Sequence, residues 1–419
     1  MSASPPGDTR GEGRPSSRSA TIPSVSQTAQ TLLAHLRARQ EEMTALLRDL
    51  VRLESPSHDP AAQEPVFARL AAELEAAGMR TRRLTGRRSS GGKTGRKTGG
   101  QLWAVRRDRR RGKGAQLLIG HCDTVWPLGT AERMPVEIRD GRLFGPGAYD
   151  MKCGLVQGIF ALRALRELGL SPEIEPAFFI NSDEEIGSPE SLPRINALAR
   201  RVRRVFVLEP SLGAAGDLKT RRKGSLRFTI KVFGKAAHSG LDPEKGASAI
   251  RELARVIQWL YGLADPERGV TVNVGVIAGG LRANVVAPEA RAELDIRVLA
   301  GEDAVRIERE VLGLVASALG NTPGTRIEVL GGIDRPPLEP TPGNRALFAV
   351  AQRRAGELGI PIGEGTAGGA SDGSLTSRFT PTLDGLGALG DGAHAVHEHV
   401  VLDRIPERAA LLALLLLEP

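Results

Sequence analysis

Cysteine is nearly absent. The 419 residues contain two, Cys122 and Cys153, too few for a framework of disulfides. Packing rather than cross-linking must hold such a fold, and a reducing, cytoplasmic location is expected. Aromatic residues are scarce at 4%, which leaves little material for stacking on nucleobases. No apolar run reaches the roughly 18 residues that a membrane span requires, and the longest, 409–417, reads as the buried face of a helix. The stretch 1–28 is rich in Ser, Pro, Gly and Arg and lacks the apolar core of a secretory signal, so a disordered tail is expected there. These absences argue against membrane, exported and nucleic-acid-binding classes.

What is present suits a globular enzyme. Hydrophobic residues make up 41%, enough for two packed cores. Much of the formal charge of +8 sits in 80–111, which contains the segment 85–100, and in the arginines of 200–204. A Gly/Ser/Lys/Arg-rich segment such as 85–100 reads as a flexible, solvated insertion rather than a nucleic-acid surface.

Three short apolar runs end in chemically active residues. The run 116–119 leads into Gly120-His121-Cys122-Asp123-Thr124, 177–180 into Asn181-Ser182-Asp183-Glu184-Glu185, and 205–208 into Glu209-Pro210. Helical spacing over 31–53, 65–77 and 155–168 separates or precedes these runs, so the predicted class is α/β, a mostly parallel sheet covered by helices. From 223 the order becomes strand, helix, strand, strand, helix, strand, with strands over 226–232, 270–277, 290–298 and 326–330 and helices over 247–263 and 303–319. An α+β, ferredoxin-like lid or dimerisation domain, 223–332, is expected to interrupt a catalytic domain made of 29–222 and 333–419. A helix over 345–358, a Gly-rich loop at 368–373, a strand over 386–389 and a helix over 405–417 complete the pattern.

Parallel strands deliver ligand-binding groups to their C-terminal edge. His121 and Asp123 stand at one such edge, although a His-x-Asp there also reads as two solvated polar residues. Asp150, in Gly145-Pro146-Gly147-Ala148-Tyr149-Asp150-Met151-Lys152, is either a helix N-cap or a carboxylate that bridges two divalent ions. Glu184-Glu185 is either a solvated acidic turn or a pair in which one carboxylate binds metal and its neighbour takes a proton. Three of the seven histidines lie in Gly392-Ala393-His394-Ala395-Val396-His397-Glu398-His399, and imidazole with carboxylate is a donor set that suits zinc.

In order, Gly-His-x-Asp-Thr, Gly-x-x-Asp-Met-Lys, Asp-Glu-Glu-x-Gly, a strand-terminal Glu-Pro, Gly-Lys-x-x-His-Ser-Gly and a late His-x-x-x-Glu resemble the M20 family of metallopeptidases, most of all its glutamate carboxypeptidase branch. The resemblance spans roughly 30–419. It implies that His121, Asp150 and Glu209 hold one zinc ion and Asp150, Glu185 and His394 a second, with cobalt or manganese as substitutes. It further implies that Asp123 orients His121, that Glu184 is the general base for a hydroxide held between the ions, and that His238 donates to the tetrahedral intermediate in a partner subunit. Asn284, Arg297, Arg335 and Gly369 become substrate contacts, the arginines as grips for a carboxylate. The implied activity is cleavage of the C-terminal amide of an N-acyl amino acid or small peptide by a homodimer. Aminoacylase, acetylornithine-deacetylase and succinyl-diaminopimelate-desuccinylase types remain open. So does a non-catalytic ligand-binding relative, which the filled Glu184 position disfavours. One departure from the branch is Asp217, which stands where those carboxypeptidases use a lysine, with Lys219 two residues on.

Overall fold

The computed structural model describes residues 1–2, 25–86, 98–109, 112–314 and 322–419. Most of the expected tail, most of the basic segment 85–100 and the end of the helix expected over 303–319 lie outside them. The helix Val25–Arg37 starts inside the stretch assigned to the tail, because Ala29, Leu32, Leu33 and Leu36 bury at helical spacing.

The larger sheet has six strands, in the spatial order Met79–Leu84, Gln101–Arg106, Glu175–Asn181, Ala115–His121, Val205–Val207 and Thr382–Leu383. The last four run parallel, and the first two add as antiparallel neighbours. Alternation along the strands divides the core into two layers. Leu118, Phe178, Ile180 and Phe206 face one side with the helices Cys153–Glu167 and Ile405–Leu417. Leu117, Ile119, Phe179, Val205 and Val207 face the other with Ile195 and Leu375. The helix Ile405–Leu417 buries Leu411, Leu412, Leu414, Leu415 and Leu416 almost completely, each worth about 1.5–3 kcal/mol.

A second, antiparallel sheet has the order Thr271–Gly279, Glu289–Val298, Gly224–Phe233 and Arg326–Arg335. The helices Ala249–Tyr261 and Gly301–Gly313 follow its first and third strands in the chain, which is the ferredoxin-like arrangement. It has a core of its own around Leu226, Phe228, Ile230, Val256, Ile296 and Ile307.

Two local expectations need correction. The run 386–389 is no strand; the parallel pairing falls on Thr382–Leu383, and Gly385, at φ +81°, turns the chain out of extended geometry before the run begins. The single helix expected over 31–53 is two, Val25–Arg37 and Gln40–Arg52. Among the described residues no helix is long and apolar enough to cross a membrane.

Candidate active site

His121, Asn181 and Val207 end three parallel strands, and His121 pairs in register with Asn181. This edge gathers the candidate residues. His121 is 1% exposed. Its Nδ1 lies 3.0 Å from the carbonyl and 3.3 Å from a carboxylate oxygen of Asp123, so the proton on Nδ1 is held and Nε2 is turned toward the site. Nε2 is 3.3 Å from Asp150 Oδ1 and 3.5 Å from Glu209 Oε1. Asp123 also accepts from Ser57 Oγ at 2.7 Å and from the backbone N–H groups of Glu184 and Glu185 at 3.3 and 3.2 Å. One carboxylate therefore fixes both the imidazole and the acidic turn. Cys122, between the two, packs into the core.

Asp150 makes no side-chain cap to the helix that follows. Its turn is instead gripped by Glu398, which is fully buried. Glu398 accepts from the N–H groups of Gly147, Tyr149 and Asp150 at 2.9, 2.9 and 3.1 Å and from the Trp126 indole at 3.0 Å. The helix behind, Cys153–Glu167, lies close to the chain that delivers Glu209. A Cβ on Gly154 would fall 2.0 Å from the Leu208 carbonyl, so only glycine permits this approach. Glu209 is held from outside by Arg222, which donates to its Oε2 at 3.0 Å while binding both oxygens of the buried Asp384 at 2.9 Å. His394 completes the edge. It has φ +60°, an uncommon conformation for a residue with a side chain, and its Nε2 lies 3.2 Å from Glu185 Oε2 and 3.6 Å from Asp150 Oδ2.

Two sets of ligand atoms result, His121/Asp150/Glu209 and Asp150/Glu185/His394, each within 4.8 Å and sharing Asp150. Three of their buried atoms, His121 Nε2, Asp150 Oδ1 and Glu185 Oε1, have no hydrogen-bond partner among the described residues. Buried polar atoms left this way are costly, and nitrogen and oxygen donors converging on one space suit a borderline or hard divalent cation. The electrostatics agree. Burial, with the Asp150 carboxylate adding to it, pushes Glu185 up to about 7, against the pull of His394. Burial also drives Glu184 well above the usual carboxylate range, although Arg335 opposes it. Burial alone would lower His121, but the carboxylates of Asp123, Asp150 and Glu209 that face its ring push it well above its ordinary value. This is a crowd of carboxylates that a divalent cation would relieve.

The remaining candidates are more dispersed. His238 is exposed on the second sheet's side of the molecule, and its Nδ1 accepts from the N–H groups of Gly240 and Leu241 at 3.1 and 3.2 Å. Asn284 is exposed beside it, its carbonyl accepting from Ser239 N at 3.0 Å. Arg297 forms a two-pronged pair with Asp295 at 2.6 and 3.0 Å. Arg335 is buried against Asp372, Ser188 and Glu184. Gly369 is exposed and gives its carbonyl to Arg222 at 3.2 Å. Neither His397 nor His399 joins the two ligand sets; His399 packs on the Phe144 ring, 5.0 Å between centroids. Sequence reasoning gave no role to Glu398, Arg222, Asp384 or Asp372. Only Glu398, inside the late His-x-x-x-Glu, carried any signal.

Fold and site together define a hydrolase that depends on a metal ion. The model of Peptidase family M20/M25/M40 matches residues 117–418, and the chain belongs to that family. It is similar to carboxypeptidase G2 of Pseudomonas sp. (strain RS-16), 26% identical over 316 residues, covering 74% of this chain and 75% of that protein. It is also similar to succinyl-diaminopimelate desuccinylase of Paracidovorax citrulli, 29% identical over 321 residues, covering 72% and 80% respectively. In fold it matches the crystal structure of aminopeptidase PepT from Bacillus cereus, with a TM-score of 0.73 at 22% identity over 90% of this chain and 98% of that one.

Proposed function

We propose that the protein is a two-metal amidohydrolase that cleaves the C-terminal amide of N-acyl amino acids or small peptides. One observation carries this reading: two ligand sets share Asp150, and Glu184, next to Glu185 in the chain and feeling the charges of Glu209 and His121, belongs to neither. His121, Asp150 and Glu209 would hold one divalent ion, and Asp150, Glu185 and His394 the other, with zinc, cobalt or manganese fitting the donors. Such ions supply Lewis acidity toward the carbonyl and lower the pKa of water.

The chain's own residues do the rest. Glu184 takes the proton of the attacking water and passes it to the departing nitrogen, so that neither strong base nor free amide anion is needed. His238 accepts at Nδ1 from two backbone N–H groups, which places its proton on Nε2 as a donor for oxygen that gains charge in the transition state. That donation occurs in a partner subunit. The open strand Thr271–Gly279, with Val276 and Ile277 46% and 66% exposed, supports a homodimer through the unit 223–332. Asn284, Arg297 and Gly369 are proposed substrate contacts, and a cytoplasmic location is inferred from the cysteine usage.

A second reading keeps the chemistry and changes the substrate to that of an N-acyl amino acid deacylase. Asp217 favours it, because its carboxylate is spent on the N–H of Gly363 at 2.7 Å and offers a glutamyl substrate nothing.

The test is a hydrolysis panel of N-acyl amino acids, C-terminal glutamyl substrates and dipeptides with zinc, cobalt and manganese compared. Two equivalents of metal per chain and loss of turnover on chelation are expected. Glu184→Gln should keep both metals and lose about 10²- to 10⁴-fold in kcat. Two bound metals with no cleavage anywhere in the panel would leave a non-catalytic binding protein.

A further inference from the structure

Arg335 is the last residue of the strand Arg326–Arg335, where the chain leaves the inserted sheet, and it is 5% exposed. Nη1 donates to Asp372 Oδ1 at 2.9 Å. Nη2 donates to Ser188 Oγ at 2.7 Å and to the Glu184 carbonyl at 3.2 Å, and lies 3.4 Å from Glu184 Oε1. Ser188 Oγ in turn donates to Asp372 Oδ1 at 2.5 Å, and Asn181 Nδ2 donates to Asp372 Oδ2 at 2.7 Å. Both terminal nitrogens of the guanidinium are thus already engaged by the protein.

A two-pronged grip on a substrate carboxylate would compete with these bonds. To make it, Nη2, which both two-pronged faces of a guanidinium use, would have to release Ser188 or the Glu184 carbonyl. The contact with Glu184 has a different consequence. It touches the side chain at Oε1 and the backbone at the carbonyl, so one planar group sets both the turn and the rotamer of the residue that must meet the water.

We propose that Arg335 is a positioning residue that fixes the Glu184 carboxylate, with Asp372 and Ser188 holding Arg335 in place. It does not grip substrate, which departs from the role that the family resemblance implies. Because the strand carrying Arg335 belongs to the inserted sheet, the inserted unit and the proton acceptor are mechanically joined at this residue. The proposal rests on the reading of Glu184 as general base.

The experiment compares wild type with Arg335→Gln, Arg335→Lys and Asp372→Asn on a matched substrate pair, one with a free α-carboxylate and one with an α-carboxamide. Arg335→Gln should lower kcat by about 100-fold or more on both members, leaving KM within about threefold. Arg335→Lys, which keeps the charge and loses the fork, should recover part of kcat, and Asp372→Asn should shift kcat in the same direction as Arg335→Gln. A tenfold or greater rise in KM confined to the carboxylate substrate, with kcat kept, would overturn the proposal in favour of a substrate grip. Unchanged kcat and KM would overturn it as well. A crystal structure of metal-free Arg335→Lys should show the Glu184 carboxylate displaced; an unmoved carboxylate refutes the proposal whatever the substrates. If wild type cleaves nothing in the panel, the amidohydrolase reading fails, and the crystallographic arm still decides the role of Arg335.

Discussion

Glu398 belongs to neither ligand set, yet three backbone N–H groups and the Trp126 indole depend on its two oxygens. In Glu398→Gln an NH₂ would replace one of those oxygens and face two N–H donors. Leaving buried donors unmatched costs about 1–3 kcal/mol each, so urea unfolding should show a loss of about 2–4 kcal/mol, with weaker metal binding because the Asp150 turn loosens. An unchanged midpoint would show that the clamp is dispensable. The difference between Glu398 and His121 also shows what a sequence can reveal at this scale. His121 and Glu209 stand out because each ends an apolar run and carries metal-binding chemistry. Glu398 works on backbone amides some 250 residues earlier, and Arg222 works through Asp384; neither partnership leaves a local pattern.

At the scale of elements, alternation and periodicity exposed most strands and helices, and failed where the backbone turns without a sequence sign. The apolar spacing that places Leu32, Leu33 and Leu36 continues into Met43, Leu46 and Leu47, and no Pro or Gly marks the break at Ala38–Arg39, so two helices read as one. The strand expected over 386–389 failed for another reason: Gly385 ends the extended stretch, and the backbone bonds of Leu386 to Val207 and of Val401 to Leu389 do not build a ladder. A contact between Glu54, just past the helix Gln40–Arg52, and the turn that opens the short helix Thr130–Arg133 gives a test. Glu54 accepts from the N–H groups of Gly129 and Ala131, both at 2.9 Å. Burial would raise its pKa, but these bonds and that of Thr130 take it below its ordinary 4.5. A folded pKa below the unfolded one means that the unfolded chain binds more protons in that interval. The stability contributed by Glu54 is therefore complete above about pH 4.5 and is lost as the pH falls through the folded value. Glu54→Gln should flatten this part of the acid limb in urea unfolding between pH 6 and pH 3 (window set by about these carboxylate values); an unaltered slope would remove Glu54 from the account.

For the whole molecule, the proposed dimer is the claim with the widest reach. The open edge of Thr271–Gly279 presents N–H and C=O groups beside Val276 and Ile277, and charge on such an edge discourages pairing. Val276→Lys combined with Ile277→Lys should yield monomers in sedimentation that retain metal and lose turnover. Mixing His238→Ala with Glu184→Gln chains should restore activity, since one site of the mixed dimer then has every group. A fully active monomer would end the idea of a shared site.

The clamp between Glu398 and the Asp150 turn also bears on how the protein is made. A ribosome releases residues 121, 150, 185 and 209 long before 394 and 398, and the helix Ile405–Leu417, which fills the core behind them, comes later still. Until then the Asp150 turn has no acceptor for its amides, and the acidic cluster lacks its second imidazole. On the proposed two-metal reading, a chain still being synthesised is inert as a hydrolase, and the cell meets this activity only in molecules whose folding is nearly complete.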